Sequence, residues 1–376
     1  MWRDVTLDFH WDDAIRDVTL VLEIAEDWQN AALVLGMLGS NLERLQVLAG
    51  PEGIEDHSIA WLAIMPTLRE FSLEYTTGQW LTHTVAFPAG LEKLTLRRMG
   101  HVAGGYAVMW RLPDALPRLA ALRQLRLPRL ELSPEGWAAR GHPLAPLGSL
   151  TTLERLDLRG SRLIRGLPDE LSALSRLSAL VLRRCSLPEG KADLEAGLAV
   201  LPTLRALAEL DMSGCGLGVL PAPVAAMSTL QTLLLAHNHL SVVTDLLGGA
   251  WLSRLVRLSL DYQQRLVEEG RFCHLPQQLF TCSRLERLSY VIECKKLFDA
   301  EQAVRRLFDA LPGMRSDAGL STRFLRRLAA TFRKVRVVVV QAGEGEALTG
   351  SNDGSEFSVT DGSAGYSSDS SSDEDW

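Results

Sequence analysis

Aromatic residues are scarce in this chain: Phe, Trp and Tyr make up 6% of 376 residues although 47% are hydrophobic. An interior filled by aliphatic layers rather than rings accounts for that imbalance. Cysteine is also sparse. Cys185, Cys215, Cys273, Cys282 and Cys294 form no CxxC pair, which argues against a structural zinc site and for reduced, buried thiols. No Asn-x-Ser/Thr acceptor occurs at Asn30, Asn41, Asn238 or Asn352, and the opening Met1-Trp-Arg-Asp is polar. With no apolar run of about 18 residues either, neither a signal peptide nor a membrane span is expected. The expected location is the cytoplasm, the nucleus or both. The chain also lacks a nucleophile elbow, a Walker loop, an HExxH motif and a dinucleotide fingerprint, so no enzyme, cofactor or metal centre is expected. Lys and Arg disappear after Arg336, beyond which nine acidic residues follow. The formal charge of −7 therefore comes from that tail, and everything before it carries about +2, too little for general attraction to nucleic acid.

What is abundant is leucine in a fixed pattern. Ten segments repeat an aliphatic residue, two variable residues, a second apolar residue, one variable residue and a third apolar residue. They begin at Leu42, Leu68, Leu91, Leu122, Leu153, Leu177, Leu207, Leu230, Leu255 and Leu285, at intervals of 23 to 31 residues. The end of each segment alternates as a strand buried on one face does, as in Leu156-Asp-Leu158. A unit this short cannot bury its own leucines. Each must stack on its neighbours, which aligns the strands in a parallel ladder.

Four central units, Leu153 to Leu163, Leu177 to Leu187, Leu207 to Leu217 and Leu230 to Leu240, carry a longer signature, with Ser161, Cys185, Cys215 and Asn238 at one equivalent place. On these residues the chain resembles the leucine-rich repeat family over roughly residues 10 to 340. The resemblance implies an α/β solenoid, with a curved parallel β-ladder on the concave face and helices and loops on the convex face. At the shared position Cys185 and Cys215 are expected to be small, buried and weakly donating to a carbonyl. His237-Asn238-His239 superficially resembles a nuclease motif, but Asn238 falls on the repeat's own position.

Residues 1–41 read as degenerate repeats, with strands near Val5 to Phe9 and Val18 to Ile24 and a helical stretch near Trp28 to Leu38. Such a start leaves a bare apolar end, expected to pair with another copy through residues 1–30 or to lack an upstream segment. Residues 42–290 hold the repeats. The two 31-residue units carry insertions, Gly104 to Trp110 and Ser133 to Trp137, expected as contact loops. Leu167-Pro-Asp-Glu and Leu220-Pro-Ala-Pro mark helical returns, since Pro is tolerated where a first turn needs no donor. Residues 291–341 are expected to form a helical cap, with helices over Leu297 to Leu311 and Ser321 to Phe332 and a final strand over Val335 to Val340. Residues 342–376 read as a disordered acidic, Ser-rich tail. There Ser370, Ser371 and Ser372 each precede an acidic residue by three positions, a pattern that resembles acidophilic kinase sites. The phosphorylated tail is expected to fold back on basic surface.

In each strand the residues flanking the buried leucines point to the concave face. Lys93, Arg97, Arg126, Arg155, Arg159 and Arg183 thus form a basic stripe, with Asp157 among them and Val181 and Leu234 as apolar neighbours. The expected function is a non-catalytic protein-protein interaction scaffold whose partner, expected to present an acidic surface, binds that face. Irregular repeat lengths and Leu-Pro turns resemble the repeat region of plant and green-algal F-box proteins, which implies substrate recognition for a ubiquitin ligase. The alternative is the acidic-tailed leucine-rich repeat type, which acts on histones or a small GTPase.

Overall fold

The computed structural model describes residues 16–22, 30, 31, 35, 41–49, 62, 63, 65–75, 86–98, 112, 115–130, 141–240, 250–261, 263, 284–294, 334–341, 348–352 and 355–359. The chain divides into two compact units: Met1–Cys215 with Pro221–Leu230, and Gly216–Leu220 with Gln231–Trp376.

In the first unit, eight parallel strands follow chain order: β1 (Asp17–Leu22), β2 (Arg44–Ala49), β3 (Glu70–Tyr75), β4 (Lys93–Arg98), β5 (Gln124–Arg126), β6 (Arg155–Asp157), β7 (Ala179–Val181) and β8 (Glu209–Asp211). From β2 onward each begins two residues after the leucine that opens its repeat. Register runs straight across, so that Leu45, Phe71, Leu94, Leu125, Leu156, Leu180 and Leu210 fall in one row, none more than 2% exposed. On the far side the chain returns through short helical turns, including 3-10 turns at Ala145–Ser149 and Asp169–Ala173 and helices at Lys191–Gly197 and Ala222–Ala225. Pro168 and Pro221 stand immediately before two of these, in extended conformation. Their missing N–H falls where a helix start leaves donors unused. This parallel ladder backed by helical returns is the leucine-rich-repeat solenoid fold.

The second unit continues the same grammar with β9 (Thr232–Leu234), β10 (Arg257–Ser259), β11 (Arg287–Cys294) and β12 (Lys334–Gln341), again parallel and in chain order. β12 covers Val335 to Val340 and is the last strand of this sheet. Two further strands, β13 (Leu348–Asn352) and β14 (Ser355–Val359), form an antiparallel hairpin, and β14 lies against β12. The hairpin falls within the acidic, Ser-rich sequence of residues 342–376. Leu348, Phe357 and Val359 supply β-forming residues within an otherwise polar sequence.

A polar ladder holds the turns behind the strands. Ser161 Oγ accepts from Leu130 N at 3.0 Å, and the thiols of Cys185 and Cys215 donate to the carbonyls of Leu158 and Leu182 at 3.1 and 3.0 Å. In the second unit Asn238 Oδ1 accepts from Leu217 N at 3.0 Å while its Nδ2 donates to Leu235 O at 2.9 Å. Asn238 is therefore a structural residue. Gln263 fills the next rung: its Oε1 accepts from Leu240 N at 3.2 Å and its Nε2 donates to Leu235 O at 2.8 Å. Burial pushes both thiols up, that of Cys215 to about 12, and the neighbouring Cys215 adds to the rise at Cys185. Both stay protonated donors, as a bond to a carbonyl needs.

Among the described residues, no helix is long and apolar enough to cross a membrane.

Candidate functional site

The strands' outward side chains form three rows in the first unit, at the positions that the alternation predicts. The first row runs Asp17, Arg44, Glu70, Lys93, Gln124, Arg155, Ala179, Glu209. Its charges alternate and pair across the ladder: Arg44 Nε lies 3.4 Å from Asp17, and Lys93 Nζ lies 2.7 Å from Glu70. Arg155 reaches Glu209, two strands away, at 3.5 Å. Ala179 stands between them in register and is too short to block the span.

The second row runs Thr19, Gln46, Ser72, Thr95, Arg126, Asp157, Val181, Asp211. Its first four members are half-buried, polar and uncharged. The third row begins with Val21 and Leu48 in register and continues with Glu74 and Arg97, which pair at 3.9 Å.

A depression of about 700 Å³ opens on this face over β1 to β5, with Thr19, Gln46, Ser72 and Thr95 along its floor and the apolar pair Val21 and Leu48 on one side. Its charged wall, Asp17 to Lys93, is internally neutralised.

The structure brings Lys93, Arg97, Arg126, Arg155, Asp157, Arg159 and Val181 onto this face or its margin, and places Arg183 just beyond β7. Leu234 lies on β9, in the second unit. The face is not a free basic stripe, however. Asp157 is 1% exposed and accepts from Arg159 through its backbone N at 3.0 Å, its Nε at 2.9 Å and its Nη2 at 2.8 Å, with Arg126 Nε at 3.5 Å. It is an internal counter-charge rather than a contact residue. Val181 is buried as well, at 3% exposure. Short Ala179 lets Arg155 and Glu209 close over β7, and Asp157 and Asp211 flank Val181 in register. Neither it nor Asp157 presents surface to a partner.

The insertions Gly104 to Trp110 and Ser133 to Trp137, residues 1–15 and 23–29 of the stretch 1–30 expected at the bare end, the helices over 297–311 and 321–332, and Ser370, Ser371 and Ser372 lie outside the described residues. The polar floor of the depression escapes a sequence search for charge. Its signal is the run of uncharged residues at the strand-centre position of four successive units.

No family model matches the chain, and no curated protein matches it. Among solved structures, the chain is similar to a leucine-rich-repeat protein of Leptospira interrogans, at 18% identity and a TM-score of 0.36, over 86% of this chain and 89% of that one.

Proposed function

We propose that the protein is a non-catalytic scaffold that binds a protein partner in the depression over β1 to β5. The observation behind this reading is the preformed trough whose floor is polar and uncharged and whose flanking charges already pair with one another. A rigid, self-neutralised surface of this kind favours a partner with mixed polar and apolar character, and ordering it on binding costs little. Val21 and Leu48 offer such a partner an apolar contact at one side of the floor.

Of the finer readings, substrate recognition for a ubiquitin ligase rests on the resemblance to F-box repeat regions. The alternative, a regulator of histones or a small GTPase, rests on the acidic tail. A comparison of proteins captured by the wild-type chain and by Ser72→Trp/Thr95→Trp, which fills the trough, tests the binding reading. Proteins lost with the variant identify the partner. Ligase subunits among the partners favour the first reading, and histones or small GTPases the second. Identical capture by both proteins would remove the trough from consideration.

A further inference from the structure

A cluster of arginines stands beyond the outer face, where the chain of the first unit turns away after β5, β6 and β7. The backbone fixes their spacing: the N–H of Arg129 donates to the Arg159 carbonyl at 2.7 Å, that of Gly160 to Arg183 at 2.7 Å, and that of Arg184 to Ser213 at 2.6 Å. The same left-handed turn position is therefore filled in succession by Arg129 (φ 59°), Gly160 (φ 69°), Arg184 (φ 56°) and Gly214 (φ 70°). Glycine adopts this conformation freely, whereas a residue with a Cβ is strained there.

The alternation has a steric meaning. A Cβ on Gly160 would lie 3.2 Å from Arg129 Cγ, and one on Gly214 would lie 3.0 Å from Arg184 Cγ. Each glycine leaves room for the stem of the preceding arginine, which lies over it. Arg162, tied to the Leu130 carbonyl at 2.9 Å, and Arg183 add two more cations to the same edge. Arg129, Arg162, Arg183 and Arg184 are all exposed, and among the described residues none of these four side chains joins an ion pair or a hydrogen bond. The outer-face cations Lys93, Arg97, Arg155 and Arg159 differ, since each has a carboxylate within 4.0 Å. The strain at Arg129 and Arg184 thus returns stem packing to the fold but no ion pair or side-chain hydrogen bond among the described residues.

We propose that this edge is a docking site for an acidic peptide, whose carboxylates or phosphates pair with Arg129, Arg162, Arg183 and Arg184. Successive turns about 4.8 Å apart present guanidinium forks in series, and a fork matches a carboxylate or phosphate with two parallel bonds. A peptide is favoured over a nucleic acid because, among the described residues, residues 115–130 and 141–240 hold no Phe, Tyr or Trp side chain to stack bases, and the body of the chain is nearly neutral. None of the four lines the depression over β1 to β5.

The test is fluorescence anisotropy on the full chain, with a labelled Glu- and Ser-rich peptide, its phosphoserine form and a single-stranded RNA of equal length, at low and at physiological salt. The variant Arg129→Gly/Arg184→Gly installs the residue that the interleaved turns already use, so its melting temperature should hold or rise. Its peptide affinity should fall by about tenfold or more, and wild-type binding should weaken as salt screens the contact. A second variant, Arg129→Asn/Arg184→Asn, keeps a side chain that tolerates the left-handed region and should lose binding equally. The control Ser72→Trp/Thr95→Trp should bind the peptide as wild type does, whatever its effect in the trough. A stronger grip on the phosphoserine form identifies phosphate as the preferred source of charge, and equal affinity identifies carboxylate. No peptide binding by the wild type at low salt, undiminished binding by both arginine variants, or tighter binding of RNA that displaces the peptide would each overturn the proposal.

Discussion

Asp157 shows how a single side chain changes the meaning of its neighbours. Its carboxylate is buried and held by Arg159 and Arg126, so these cations serve the fold before they serve a ligand. Removing a buried acceptor leaves donors unpaired, at a cost of about 1–3 kcal/mol. Asp157→Ala should therefore shift the chemical-unfolding midpoint down by an amount in that range, whereas an exposed acidic residue such as Asp169 should give almost no change when replaced. Equal effects at the two sites would mean that Asp157 is not the counter-charge described.

His142 offers a second test at this scale. Its Nδ1 accepts from Leu144 N at 3.2 Å, which fixes the neutral ring. Burial holds the imidazole below its usual range; Arg165 adds to the lowering, while the Gly166 carbonyl and Glu170 oppose it without reversing it. The unfolded chain takes up this proton near pH 6.5 and the folded chain only at lower pH. The contribution is complete above that value and is lost as pH falls below it. The slope of unfolding free energy against pH below 6.5 should be smaller in His142→Gln than in the wild type, and parallel curves would contradict the assignment.

At the scale of elements, the spacing of leucines predicts ten strands, and all ten begin two residues after the leucine that opens each repeat. That much is legible because burial on one face of a stacked strand demands the pattern wherever it occurs. The outward rows are equally legible as positions. Their chemistry is not, because the Arg155–Glu209 and Arg159–Asp157 pairs depend on which strands become neighbours and on how short Ala179 is. Gln263 is a similar case. It stands five residues after Leu258, as Asn238 does after Leu233, but a search for Asn or Cys passes over it. The Arg and Gly alternation in the turns is visible in sequence only once the turns are aligned.

Close packing of the return turns is another feature that sequence conceals. Gly166 has φ 77°, its neighbour Leu167 donates to the Gly197 carbonyl at 2.7 Å, and a Cβ at Gly166 would collide with the backbone of Gly197. Gly166→Ala combines strain with overlap against atoms that cannot swing aside, and should cost at least about 2 kcal/mol. A melting temperature equal to wild type would refute this contact. Gly216→Ala provides a comparison, because φ is 70° but nothing stands within 4 Å of the added atom.

For the molecule as a whole, the hairpin β13–β14 gives the acidic tail a second character. It lies against β12, the last parallel strand, whose sequence Lys334-Val-Arg-Val-Val-Val-Val-Gln341 is rich in β-formers and poor in charge toward its end. An open strand of that kind is a template for pairing between molecules. A chain ending at 341 should therefore self-associate in sedimentation, and one ending at 360 should behave as the full chain does. Monomers in both cases would show that the hairpin does not shield the edge.

Stacked repeats are usually described by a sum of unit stabilities and nearest-neighbour terms. The ion pair from Arg155 to Glu209 passes over the intervening strand, and so it ties the repeat of β6 to the repeat of β8. A double-mutant cycle on Arg155→Ala and Glu209→Ala should return a coupling of about 0.2–1 kcal/mol, as for other half-exposed pairs. The same cycle in an Ala179→Leu background should return none, because the branched side chain obstructs the span. Persistence of the coupling there would show that the pair does not depend on the small residue beneath it. With the coupling present, fraying at β8 is felt at β6 without first loosening β7, and the cooperative length of this stretch exceeds what adjacent contacts alone provide.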